Sequence, residues 1–169
     1  MRGCRRLLYT APPDHFQMIA MPLDPDAIDK IRANLELLER NERAPVISIG
    51  HLTKQQYMAI NQHRASEGLP ALQSDEVLYM GRHHFSSRSA DGYHIGDLIA
   101  QIKSGMSSEA EFYKDPRKPH STALINPIPR TDGYGNQVSD LAILELTRRK
   151  PRAELFSVIP KNDTNKPQK

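Results

Sequence analysis

The chain has 169 residues, 38% apolar and 6% aromatic, with no tryptophan, thirteen prolines and nine glycines; this suits one domain with short terminal additions and a modest core of Ile, Leu, Val and Met. The formal net charge is +3, yet residues 1–16 and 161–169 each sum to +2, so the body 17–160 sums to −1, a balance that permits a nucleic-acid partner without demanding one. A single cysteine, Cys4, excludes an internal disulfide and a multi-cysteine metal cluster, and no window reaches the ~20 apolar residues of a membrane span.

The opening MRGCRRLLYTAPPD has no apolar run of signal-peptide length, so a soluble, cytoplasmic protein is expected. Residues 1–23 read as a poorly ordered extension, and Met18 and Met21 leave the natural start open. Asp24-Pro25 opens an amphipathic helix within 24–43, with Asp as cap and Pro at the first helical position. Ala27, Ile28, Ile31, Leu35 and Leu38 form its apolar stripe, Glu36 and Arg40 are spaced to pair, and the stripe docks on the body or on a second copy.

Residues 44–160 read as a single α+β domain. APVISIG, 44–50, is a short strand or extended connector. Thr53 with Gln56 gives a capping box for a helix that ends near Glu67, before Gly68 and Pro70. Ser74-Asp75-Glu76 is a second cap signature, which predicts a helix carrying His84 and Arg88 on the face of Gly81, with His83 pointing elsewhere. The alternative there is a short strand, Val77 to Met80, followed by a polar loop. Ile95, Leu98, Ile99, Ile102 and Met106 predict a helix over 94–106.

After a polar linker, 107–119, the period changes to alternation. His120–Pro129, Gln137–Thr147 and Ala153–Pro160 predict strands, joined by a Gly-containing turn at 131–136 and the basic turn Arg148-Arg149-Lys150-Pro151-Arg152. The expected fold is α+β, with N-terminal helices followed by a small antiparallel meander of three to four strands. Residues 161–169 read as a disordered tail. The DGY triplets at 91–93 and 132–134 are too short to count as a repeat.

The densest chemistry lies in YMGRHHFSSRSADGY, residues 79–93. His83 and His84 supply imidazoles, a group able to take and give a proton near neutrality. Arg88 can grip a phosphate in two prongs. His120 is a second proton-transfer candidate, Ser87 and Thr122 are orienting hydroxyls, and Arg130, Arg148 and Lys150 are basic groups at strand ends. Each has a plainer reading as a core-edge, strand-start or solvated residue.

A metal is not expected. His83, His84 and His94 cluster, but adjacent histidines rarely face one centre and no His-x-x-x-His completes a set. Ser86 and Ser87 lack the G-x-S-x-G turn of a hydrolase, and no Gly-rich phosphate loop is present, so no cofactor is expected either.

The order Arg82-His83-His84, Ser87-Arg88, the DGY turn, a helix, then Ser121-Thr122 and closing strands resembles the metal-independent ribonuclease grouping of barnase, EndoU, the colicin tRNases and the RelE-like toxins, in its phage- and toxin-associated versions. The resemblance spans roughly 74–160, and no barnase-type catalytic glutamate stands out. It implies catalytic His, Arg, Lys, Ser or Thr on the face of an antiparallel sheet, and an endoribonuclease acting through the RNA 2′-OH. The competing expectation is a non-catalytic regulatory or inhibitor module that binds a protein partner, or a second copy, through 25–40.

Overall fold

The computed structural model describes residues 23–114 and 122–162. Four helices, α1 (Ala27–Glu39), α2 (Lys54–Ser66), α3 (Arg82–Ala90) and α4 (Ile95–Gly105), combine with β1 (Ile47–His51), β2 (Glu76–Tyr79), β3 (Glu111–Lys114), β4 (Thr122–Ile125), β5 (Arg130–Thr131), β6 (Gln137–Glu145) and β7 (Ala153–Asn162). The α+β class is as expected. The sheet is not a three- or four-stranded meander: seven strands form it, in the order β1-β2-β7-β6-β4-β3, with β5 paired to β6. β2 and β7 run parallel, Tyr79 beside Leu155, so the sheet is mixed. The meander is present only as its β4-β6-β7 part, because β7 also offers its outer edge to a strand made seventy residues earlier.

Several boundaries move for identifiable reasons. Ser74-Asp75-Glu76 opens strand β2 instead of a helix: Val77 and Tyr79 alternate inward with Glu76 and Leu78, which suits a strand filling the gap between β1 and β7. The polar residues after it are helical, not a loop. Gly81 takes a left-handed φ of 78° and so turns the chain from β2 into α3. β3 occupies part of the expected linker, and β7 runs two residues into the expected tail. His120 and Ser121 lie outside the described residues, as do 1–22 and 163–169.

α2 starts as the sequence requires: the Gln56 N–H donates to Thr53 Oγ1 (3.1 Å) and the Thr53 N–H donates to Gln56 Oε1 (2.9 Å), closing a capping box. α1 starts two residues later than Asp24, with Asp26 at its cap, while Arg40 pairs with Glu42 at 2.9 Å rather than with Glu36. Ala27, Ile31 and Leu35 are fully buried against the body, with Ile28 and Leu38 packed beside them. The stripe of α1 is therefore part of the core.

The core joins that stripe to Ile49, Val77, Tyr79, Leu98, Ile102, Leu124, Leu144, Leu155 and Val158. Each large aliphatic side chain buried there contributes about 1.5–3 kcal/mol relative to exposure. A Cβ at Gly105 would touch Ala142 at 3.1 Å and Val158 at 3.3 Å, so α4 lies close on that face of β6 and β7. No helix among the described residues is long and apolar enough to cross a membrane.

Candidate functional site

The two adjacent histidines of α3 go to different places. His84 is fully buried. The Tyr79 hydroxyl donates to its Nδ1 at 3.1 Å, and its Nε2–H donates to Gln101 Oε1 at 2.9 Å. Both ring nitrogens are engaged, which fits the neutral imidazole. Burial lowers its pKa to about 4, the Gln101 bond opposes that, and the charge of Arg88 lowers it further. A histidine so held is a polar member of the core and has no nitrogen free for a substrate.

His83 is exposed, one residue earlier and about 100° round the helix. Its ring stacks on Phe156 at 4.2 Å between centroids, with 21° between planes. Ser87 Oγ lies 3.4 Å from its Nε2. Phe156 reaches this position through a β-bulge: Ile143 pairs with Ser157 and Leu144 with Leu155, so Phe156 opposes no residue of β6.

The Arg148 guanidinium lies 5.8 Å from the centroid of the same Phe156 ring and contacts Glu145 Oε1 at 3.0 Å. Glu145 and Glu154 are direct cross-strand partners. They alternate with Ala142 and Leu144, which places them on the sheet face away from α4. Opposed like charges are unfavourable, and each carboxylate is met by an arginine: Glu145 by Arg148, and Glu154 by Arg152 at 3.1 Å. Burial raises the pKa of Glu145, Arg148 pulls it back, and Glu154 raises it again. His83, Phe156, Arg148, Glu145, Glu154 and Arg152 thus form one connected cluster of acid, base, cation and aromatic face.

Apart from Lys150, whose charge acts on Glu145 from the basic turn, the other sequence-predicted residues do not join it. Arg88 pairs with Asp91 at 3.2 Å beside His84. Arg130 forms a two-pronged pair with the fully buried Asp140, its Nη2 donating at 3.0 Å to Oδ1. Thr122 is buried opposite Leu144. Lys150 is exposed on the basic turn, next to the cluster in sequence. Among the described residues, no group of three or more His, Cys, Asp or Glu is placed to hold a metal ion. A cleft of about 450 Å³ on α2, lined by Lys54, Gln55, Met58, Ala59 and Gln62, contains none of these residues.

Sequence reasoning noted Arg152 only as one base of the turn and missed Phe156, Glu145 and Glu154. Glu145 did carry a signal, as a charged residue inside the apolar run LAILEL; the bulge that presents Phe156 has no comparable mark.

The DGY triplets make a second, structural junction. The Tyr93 hydroxyl donates to Asp132 Oδ2 at 3.0 Å, and the Tyr134 hydroxyl donates to the Asp91 carbonyl at 3.0 Å. The two rings meet edge-on at 5.2 Å. Each triplet's tyrosine thus reaches the other triplet's aspartate, tying the α3–α4 connection to the β5–β6 hairpin. Comparison with known proteins brings no relative to bear on this geometry: no family model, curated protein or solved structure matches the chain.

Proposed function

We propose that the cluster at the N-terminus of α3 and the β6–β7 turn binds RNA and cleaves it without metal through the 2′-OH. The observation that carries this reading is the exposed His83 imidazole stacked on a ring shared with Arg148, which itself touches a carboxylate of raised pKa. In the reaction, Glu145 takes the proton of the 2′-OH as the 2′ oxygen bonds to phosphorus. The bond to the 5′ oxygen breaks, and His83 gives that oxygen a proton. Arg148, with Lys150 beside it, offsets the charge on the phosphate. Ser87 orients the imidazole. Burial makes the Glu145 carboxylate a stronger base, and the exposed His83 imidazole is placed to give a proton.

The competing module that binds a partner through residues 25–40 has less support, because the apolar stripe of α1 is already buried against the body. The test is incubation of the purified protein with a defined RNA in EDTA. The expected product is a 2′,3′-cyclic phosphate end, with no cut where the scissile nucleotide is 2′-deoxy. His83→Ala should lower the rate ~10²–10⁴-fold with the circular dichroism spectrum unchanged. RNA left intact by the wild-type protein across pH 5–8 rules the activity out.

A further inference from the structure

Arg64 of α2 is fully buried. Its guanidinium donates to four backbone carbonyls: Nε to Pro70 at 2.7 Å, Nη1 to Leu146 at 2.8 Å and to Arg148 at 2.9 Å, and Nη2 to Lys150 at 3.2 Å. Three of the four acceptors sit at alternate positions of the β6–β7 turn. Carbonyls drawn inward at 146, 148 and 150 hold the backbone while Arg148, Arg149 and Lys150 remain exposed. No carboxylate is among these partners, and a guanidinium keeps its proton even where burial lowers its pKa. Burying a cation is unfavourable unless its hydrogen-bonding capacity is met, as it is here by these four carbonyls. Lysine lacks the planar fork that spans four acceptors, which is what this position uses.

We propose that Arg64 is the positioning residue of the RNA site: from inside the fold it sets the turn that presents Arg148 and Lys150 to the RNA backbone, without touching RNA itself. This rests on reading the cluster as an RNA site. It differs from a role in stability alone, because it makes the number of phosphate contacts depend on a residue that contacts no phosphate.

The salt dependence of binding reads that number, at ~0.7 in log affinity against log salt for each single-strand phosphate contact. The probe is a short single-stranded RNA with 2′-O-methyl groups, which cannot be cleaved. An Arg148→Ala, Lys150→Ala double variant should lose ~1.4 from the wild-type slope. Arg64→Lys should lose a similar amount. Ile60→Ala, which opens a cavity on the same helix, should lower stability and keep the wild-type slope. A wild-type slope in Arg64→Lys overturns the proposal while leaving the RNA site standing. Absence of any binding by the wild-type protein overturns both.

Should Arg64→Lys not fold, the wild-type protein gives the answer by nitrogen-detected NMR. RNA addition should then shift the Arg64 Nε–H signal and leave that of Arg130, at the other end of β6, in place. No shift at Arg64 on binding overturns the proposal.

Discussion

The pair His83-His84 shows how far one step along a helix separates two identical side chains. His84 sits between Tyr79 and Gln101 with its pKa lowered to about 4 by burial. In the unfolded chain it would take a proton near pH 6.5. Above that pH it is neutral in both states and stability is unaffected. Below it the unfolded chain binds a proton that the native protein refuses, so stability falls by about 1.4 kcal/mol per pH unit, reaching about 3 kcal/mol near pH 4. The expected result is a His84 ring that shows no titration by NMR above about pH 5, alongside an unfolding free energy that begins to drop as pH passes below 6.5. An ordinary titration of His84 near 6.5 would show that its ring is not held as described. Arg130 and Arg148 each meet a buried carboxylate, but Arg130 is gripped in two prongs by Asp140 whereas Arg148 touches Glu145 through one nitrogen and stays half-exposed over Phe156.

Elements are joined here by small residues at close approaches. Gly92 has a φ of 87°, and a Cβ there would run into the Tyr134 hydroxyl. Gly92→Ala therefore combines left-handed backbone strain with overlap, at about 2–4 kcal/mol. Gly68, with a φ of 70° and nothing within 4 Å of a Cβ, has strain alone, so Gly68→Ala should cost about 1–2 kcal/mol. Adding Tyr134→Phe to Gly92→Ala removes the colliding oxygen and should restore part of the loss in urea unfolding. A double variant no more stable than Gly92→Ala would mean that the tyrosine hydroxyl is not the obstacle. The capping box of α2 shows the opposite situation, in which four consecutive residues, Thr53 to Gln56, specify an element start by themselves.

For the whole molecule, the sheet has a strong middle and weak margins. β6 and β7, of nine and ten residues, pair along nearly their full lengths, whereas β5 has two residues and β3 is an edge strand of four. Amide exchange should follow that order. Amides of Leu141–Leu144 and Leu155–Val158 should exchange by global unfolding, and those of β3 and β5 by local opening at rates several orders faster. Equal protection in β5 and β7 would contradict this picture. The parallel pairing of β2 with β7 closes a loop of more than seventy residues, so contacts of long sequence separation should dominate the folding time.

Local chemistry is written in the chain: the cap of α2, the apolar stripes of α1 and α4, and the alternation of β6 and β7 all follow from side-chain spacing that an isolated segment already has. Spacing says which face of a segment is apolar, but not what that face meets. What the apolar stripe of α1 packs against within the chain, whether Glu76–Tyr79 is strand or helix, and which histidine is buried were settled by neighbours from elsewhere in the sequence. The candidate site depends on this most of all. Phe156 is presented by a bulge, Glu145 and Glu154 are opposed by register, and the Arg148 carbonyl is held by an arginine more than eighty residues earlier. Register and bulge are properties of paired strands, and no single strand encodes them.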